Sequence, residues 1–303
     1  MNNVLDFFTS VPMKSHRLGC LAYELSVVFP NVMYREGPDA VAKLLNGFET
    51  IGFDGIDMFD HVVMGYPTEK RRAPVYSPQM PIMEAFMMLS FAAAHTQKVA
   101  LSTTVLVLPQ RHPTLVAKQV STLDTLSGGR IKLGVGTGWQ RSEYEVQGAD
   151  FSTRGSRMDE CIEILRSYWR DEHVNYDGEH YQIDEIAMEP KPPQGGKIPI
   201  WIGGTKGPAL LRDLRHYLEE YDRDPSDVGL QISLSPGPLD KEKRKRFFAD
   251  PDLVLDRIVE LKALGFEQCA IDCVPIFQHG YRTSDALLDY LNTLYQKVKP
   301  ELT

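Results

Sequence analysis

A (β/α)8 barrel of parallel strands is the fold this sequence predicts, and three observations point to it. Stretches rich in Val, Ile and Leu alternate with longer amphipathic helices, the order that builds a parallel sheet covered by helices. One strand ends on a glycine-rich tip, Gly134-Val-Gly-Thr-Gly138, where missing Cβ atoms let backbone N–H groups approach a flat or anionic ligand. The 303 residues are 43% hydrophobic and 24% charged with no low-complexity tract, so a core of this size needs no disulfide or metal support.

The units follow in order. A strand at 22–29 precedes a helix at 39–51, in which Val41, Leu44, Leu45, Phe48 and Ile51 recur at helical spacing. The second strand, 53–59, is separated from a helix at 81–95 by a polar loop containing proline and tyrosine. A third strand at 99–108 leads to a helix at 114–126, and a fourth at 131–136 to a helix at 154–169. Residues 174–182 then place Asp177-Gly178 between apolar residues, which predicts a small hairpin insertion. The strand at 198–202 enters Gly203-Gly204-Thr205, and later strands lie at 228–233 and 268–274, with helices at 252–264 and 284–298. That makes seven strands, one fewer than a complete barrel, and one strand–helix unit falls short between 204 and 228. A seam is expected at 210–214, from a true deletion or from a loop closed up in the numbering. The first twenty residues fit no barrel element and are read as an extension of a single domain covering 1–303.

A net charge of −8 argues against nucleic acid or an anionic membrane as the main partner. The basic run Lys241-Glu-Lys-Arg-Lys-Arg246 reads as a solvated helix end. Cys20, Cys161, Cys269 and Cys273 lack metal-ligand spacing and are read as reduced thiols of a cytoplasmic protein, with Cys269 and Cys273 on one strand but too far apart to bridge. No apolar run has membrane length, and the N-terminus lacks a basic region followed by an apolar stretch.

Catalytic groups in parallel barrels sit at the C-terminal ends of strands. The second strand ends Asp60-His61, where an imidazole can hold or move a proton near neutral pH; a histidine tied to a loop carbonyl is the structural alternative. At the fourth tip, the hydroxyl and exposed amides of Thr137 and Gly138 can bond a polar chain, and Trp139 can form an apolar wall. A phosphate can rest on the amides of Gly203, Gly204 and Thr205. Arg111 or His112 could meet an anionic tail, or simply shape the loop, while Ser127-Gly-Gly-Arg130 lies at the wrong strand end for catalysis. Arg154 and Arg157, followed by Asp159 and Glu160, suit an ion-pair network better than phosphate contact. P-loop, zinc-protease, nucleophile-elbow and Rossmann fingerprints are absent from the sequence.

The stretch Leu123-Asp-Thr-Leu-Ser-Gly-Gly-Arg-Ile-Lys-Leu-Gly-Val-Gly-Thr-Gly-Trp139, with Gln110-Arg-His-Pro113 and Arg154-Gly-Ser-Arg-Met-Asp-Glu160, resembles the luciferase-like flavin oxidoreductases. It is most similar to their branch that uses the deazaflavin coenzyme F420. The resemblance implies a luciferase-like barrel performing redox chemistry on a small organic substrate, with hydride passing to or from the deazaflavin. It puts His61 at the reactive face, Asp60 beside it as cofactor contact or orienting neighbour, and Glu143 where some relatives hold an acid beside the substrate; a solvent-facing side chain is the alternative for Glu143. It also implies a bulge, often with a non-proline cis peptide, at Thr104–Val105 behind the ring, an ordinary β-branched strand interior being the structural alternative. A homodimer and a separate flavin or F420 reductase are the implied protein partners. The competing readings are an FMN-dependent monooxygenase fed with reduced flavin and a non-catalytic flavin-binding relative with an eroded barrel. A metal-dependent hydrolase stands further off, since no carboxylate/histidine ligand set recurs at the strand tips.

Overall fold

The computed structural model describes residues 23–203 and 229–302, in two compact units. Cys20, Gly204, Thr205 and the seam at 210–214 lie outside the described residues. The first strand is β1 (Glu24–Val28).

The larger unit covers 28–50 and 54–203. Its elements begin with α1 (Pro38–Ile51), β2 (Gly55–Met58), α2 (Ala85–His95), β3 (Ala100–Thr103) and β4 (Leu106–Val107). They continue with α3 (Pro113–Ser127), β5 (Ile131–Gly136), α4 (Arg141–Val146) and α5 (Arg154–Arg170). The hairpin strands β6 (Val174–Asp177) and β7 (Gln182–Ile186) and the strand β8 (Ile200–Ile202) complete it. β2, β3 and β5 lie side by side in parallel, and β4 and β8 pair with β5 in the same sense. β5 therefore runs down the middle of the site-bearing sheet.

The expected strand at 99–108 is broken into β3 and β4. Leu101 pairs with Ile131 but Leu106 with Val135, so this strand uses one residue more than β5 between the two pairings. The extra length is taken up at Thr104–Val105, whose peptide bond is cis. α4 was not apparent from the sequence: only six residues long, it is too short to show helical periodicity.

Two side chains hold the sheet at its N-terminal edge. Glu49, near the end of α1, accepts the N–H groups of Gln97, Lys98 and Val99 just before β3. Burial pushes the Glu49 carboxyl up, but these three donors outweigh it and leave the group below its ordinary value. Arg130 donates to Ser127 O, Val99 O, Ala93 O and both Thr96 O and Oγ1, joining the ends of α2 and α3 to the start of β5. Gly128 in the left-handed region ends α3, as the Gly-Gly signal predicts.

The hairpin forms as expected around Asp177-Gly178 and is fastened by one carboxylate. Glu160 of α5 accepts from the N–H groups of Glu179, His180 and Tyr181. Among the described residues the arginines of the same motif have no acidic partner: Arg154 donates to Phe151 O at 2.7 Å and stacks on the Phe151 ring, and Arg157 donates to Tyr181 Oη at 2.8 Å.

The smaller unit holds described residues 23–27, 51–53 and 229–302. β1 lies beside β10 (Gln268–Asp272), which pairs in parallel with β9 (Gln231–Ser233). Its helices are α6 (Lys241–Arg246), α7 (Pro251–Ala263), α8 (Cys273–Gln278) and α9 (Ser284–Val298). The basic run is α6, with no buried residue. β10 stops two residues earlier than expected, because the Asp272 carboxylate caps the Val274 N–H and Pro275 fits the first turn of a helix. Cys273 thus starts a helix instead of sharing a strand with Cys269, and among the described residues Cys161, Cys269 and Cys273 are buried and form no disulfide. No helix among the described residues is long and apolar enough to cross a membrane.

Candidate active site

The parallel register brings His61, Thr104, Thr137 and Gly203 to one C-terminal sheet edge. Met58 pairs with Thr103, Val107 with Gly136, and Val135 with Ile202, so each of the four follows a strand end on the same side. Thr104 N–H donates to Met58 O at 2.7 Å, which ties the bulge to the strand that carries His61.

His61 and Glu143 form a buried pair. The imidazole Nδ1 lies 3.1 Å from Glu143 Oε2, and the exposures are 8% and 1%. The other carboxylate oxygen accepts the N–H of Val62 and, at 3.4 Å, that of Val63. Gln140 Nε2 donates to Val63 O at 2.7 Å, so α4 and the turn before it grip the backbone directly after His61. An ionised Glu143 can only accept, so Nδ1 is the ring's donor and Nε2 is left to work outward. Among the described residues Nε2 has no hydrogen-bond partner.

Two aromatic rings flank this imidazole. Trp139 and Tyr76 lie 5.3 and 5.6 Å from its centroid, both edge-on, and 6.2 Å from each other. Trp139 was expected as a wall. Tyr76 was not, because it sits in a loop with no periodicity, 15 residues along the chain from His61.

Asp60 finds its hydrogen-bond partners in the segment that follows the bulge. Its carboxylate holds Arg111 through two 2.9 Å bonds and accepts the Val107 N–H at 3.0 Å. Burial pushes its carboxyl up from the ordinary value, and Arg111 and the Val107 N–H pull against that rise. Arg111, a candidate for an anionic tail, is thus engaged by Asp60 and approaches Glu84 at 3.6 Å.

The glycines at the tip make room for side chains from the preceding strand. A Cβ on Gly136 would stand 2.6 Å from Val105 Cγ2, one on Gly203 2.8 Å from Val105 Cγ1, and one on Gly138 2.6 Å from Val107 Cγ1. A Cβ on Gly134 would run into the Thr103 carbonyl oxygen. Gly203 N–H is engaged by Val135 O at 2.7 Å and so continues the ladder. Thr137 O accepts from the buried Tyr144 hydroxyl at 2.6 Å. Thr104 and Val105 remain half-buried at the same sheet edge as His61. A bulge, an aromatic wall and an imidazole nitrogen with open valence are parts that fit a planar ring.

A family model described as luciferase-like monooxygenase matches residues 23–234. An uncharacterized protein of Mycobacterium tuberculosis is 36% identical over 180 residues, 57% of this chain and 61% of that protein. An F420-dependent glucose-6-phosphate dehydrogenase of Nakamurella multipartita is 32% identical over 179 residues, 58% of this chain and 49% of the relative. The chain therefore spans about half to three fifths of the length of these curated relatives. Two solved structures share the fold. An F420-dependent secondary alcohol dehydrogenase with an F420-acetone adduct matches with a TM-score of 0.67 at 17% identity, covering 92% of this chain and 99% of that one. The oxygenating constituent of 3,6-diketocamphane monooxygenase from Pseudomonas putida, in complex with FMN, matches with a TM-score of 0.61 at 15% identity, covering 90% and 98%. The α/β fold and the sequence motifs thus agree with the family match, and this chain belongs to the luciferase-like monooxygenase family.

Proposed function

We propose that this protein is an oxidoreductase that uses coenzyme F420 to pass a hydride to or from a small organic substrate, with His61 handling the accompanying proton. The observation that carries the reading is the His61–Glu143 pair, with Nε2 left open beside Trp139 and the Thr104–Val105 bulge. Thr104, Val105, Thr137, Gly138 and Trp139 would hold the ring and the chain that leaves it, and Asp60 would keep the bulge in place through Val107 and Arg111. A bound deazaflavin supplies two-electron hydride chemistry that no side chain offers. His61 then needs only to give or take one proton at Nε2, while Glu143 fixes the orientation of the ring.

Relatives that use either F420 or FMN frame the competing reading, a monooxygenase fed with reduced FMN. Separate titrations with F420 and FMN, followed by fluorescence quenching, decide between them: tight binding of F420 with weak binding of FMN supports the proposal, and the reverse order overturns it. His61→Ala is expected to lower turnover about 10²–10⁴-fold, the usual contribution of a general acid–base group, with a far smaller effect on cofactor affinity. A variant with near-normal turnover would make His61 structural. The homodimer belongs to the same proposal and is read by light scattering of the purified protein.

A further inference from the structure

The loop between β2 and α2 and the turn after β5 expose an unusual amount of apolar surface. Val62, Val63, Tyr66, Val75, Tyr76 and Trp139 are all large, hydrophobic and exposed, with Val75 at 76%, Trp139 at 44% and Tyr76 at 38%. Scattered exposed side chains need no explanation, but these share two neighbouring segments. Tyr76 and Trp139 contact each other and His61, and Phe59 lies 6.4 Å from Tyr76.

The geometry of that group is specific. His61 meets Tyr76 at 67° and Trp139 at 72°, so the rings form a corner with walls nearly perpendicular to the imidazole. Such a corner offers the rings of Tyr76 and Trp139 and, on the imidazole, the open atom His61 Nε2. Two arginines of the neighbouring segments are already paired. Arg111 is held by Asp60 and by Glu84, and Arg71, which reaches Gly65 and donates to Tyr66 O, pairs with Glu145 at 3.6 Å. Both guanidinium groups are therefore taken up by carboxylates of the protein itself before any phosphate or carboxylate ligand arrives.

Resting on the F420 reading above, we propose that the substrate is a small uncharged ring compound, alicyclic or aromatic, whose one polar group is a carbonyl or hydroxyl directed at His61. Its apolar body lies against Tyr76 and Trp139, the arrangement in which an apolar site uses a few polar groups to orient its ligand. In the reducing direction the reduced deazaflavin would supply the hydride taken up by a ketone's carbonyl carbon, and His61 would supply the proton at its oxygen. The products are the alcohol and the oxidised cofactor. A sugar phosphate, the substrate named for the Nakamurella relative, is the ligand class this corner disfavours.

The test titrates the F420-loaded protein with cyclohexanone and with glucose 6-phosphate, reading binding by calorimetry and tryptophan fluorescence, without turnover. The expected result is saturable binding of cyclohexanone and none of glucose 6-phosphate. Tyr76→Ala should weaken cyclohexanone binding at least tenfold, while Tyr76→Phe, which keeps the ring, stays within about threefold of the wild type. Val75→Asp, at an exposed position that leaves folding intact, should also weaken it several-fold. Glucose 6-phosphate binding as tightly as cyclohexanone, or unchanged cyclohexanone affinity in Tyr76→Ala, overturns the proposal. If F420 fails to bind the wild type, the cofactor reading falls. The cyclohexanone titration is then run on the cofactor-free protein, where binding that depends on Tyr76 upholds the apolar corner and its absence refutes it.

Discussion

Replacing Gly136 by alanine tests whether the glycines of β5 exist to house Val105. The new Cβ would stand 2.6 Å from Val105 Cγ2, about an ångström inside ordinary contact. Valine is β-branched and stiff at χ1, so it cannot swing clear without leaving its rotamer well. Overpacking of this kind costs about 1–3 kcal/mol. For a domain of this size each kcal/mol lowers Tm by roughly 2–4 °C, so Gly136→Ala should melt about 2–12 °C below the wild type. Val105→Ala removes the methyl groups that clash, and in that background the cost of Gly136→Ala should fall to about 0.5 kcal/mol or less. Gly134→Ala behaves differently: its Cβ meets the Thr103 carbonyl oxygen, a backbone atom in the ladder, so Val105→Ala gives no rescue. Urea denaturation of the four-member cycle supplies the coupling energy. An unshifted Gly136→Ala midpoint, or an equal loss in both backgrounds, would refute the packing argument.

Three further outcomes follow from contacts described above. Glu143→Gln keeps an oxygen for Val62 and Val63 but turns an NH2 donor toward His61, driving the ring proton to Nε2. Losing a charge-assisted bond of about 1.5–3 kcal/mol should reduce turnover about 10- to 100-fold, with the tautomer change visible in ¹⁵N spectra of the ring. Glu160→Ala should accelerate amide exchange at Glu179, His180 and Tyr181 at least about tenfold without altering exchange in β5, because it frees only the hairpin turn. Glu49 has a depressed carboxyl, so its contribution to stability is complete above the unfolded-state value and fades as pH falls through the lower folded value. Glu49→Gln should therefore flatten the acid limb of the stability profile, and an unchanged limb in urea titrations from neutral to acid pH would contradict the assignment.

The succession of strands and helices was legible because each carries its own periodicity. The ends of α3, β5 and α9 fall within a residue of where Pro113, the Gly-Gly turn and Ser284 put them. The site was only partly legible. His61 and Trp139 announce themselves by chemistry at strand tips, but their neighbours are set by tertiary contacts. Tyr76 reaches the imidazole from a loop, and Asp60 turns to Arg111, 51 residues away in the chain. The tip glycines looked like a cradle for a ligand because a missing Cβ leaves a vacancy without naming its tenant. Val105, some thirty residues upstream, fills much of it. Arg154 and Arg157 looked like partners for acids on their own helix, yet they turn to Phe151 and Tyr181, while Glu160 turns to the hairpin.

Arg130 sets how freely the opposite end of the sheet can change. Its guanidinium and Nε tie together the closing turn of α2, the close of α3 and the carbonyl ahead of β3, all at the edge remote from His61. A strand anchored at its root can carry a new loop at its tip without slipping, because a slip by even one residue would turn every core side chain outward. Residues 64–82, between the ends held by Glu143 and Arg111, are thus the part of the loop open to exchange, by natural variation or by a protein engineer grafting a new recognition loop, while the register beneath them stays fixed. Lineages that keep this arginine inherit a foundation on which substrate preference is free to wander.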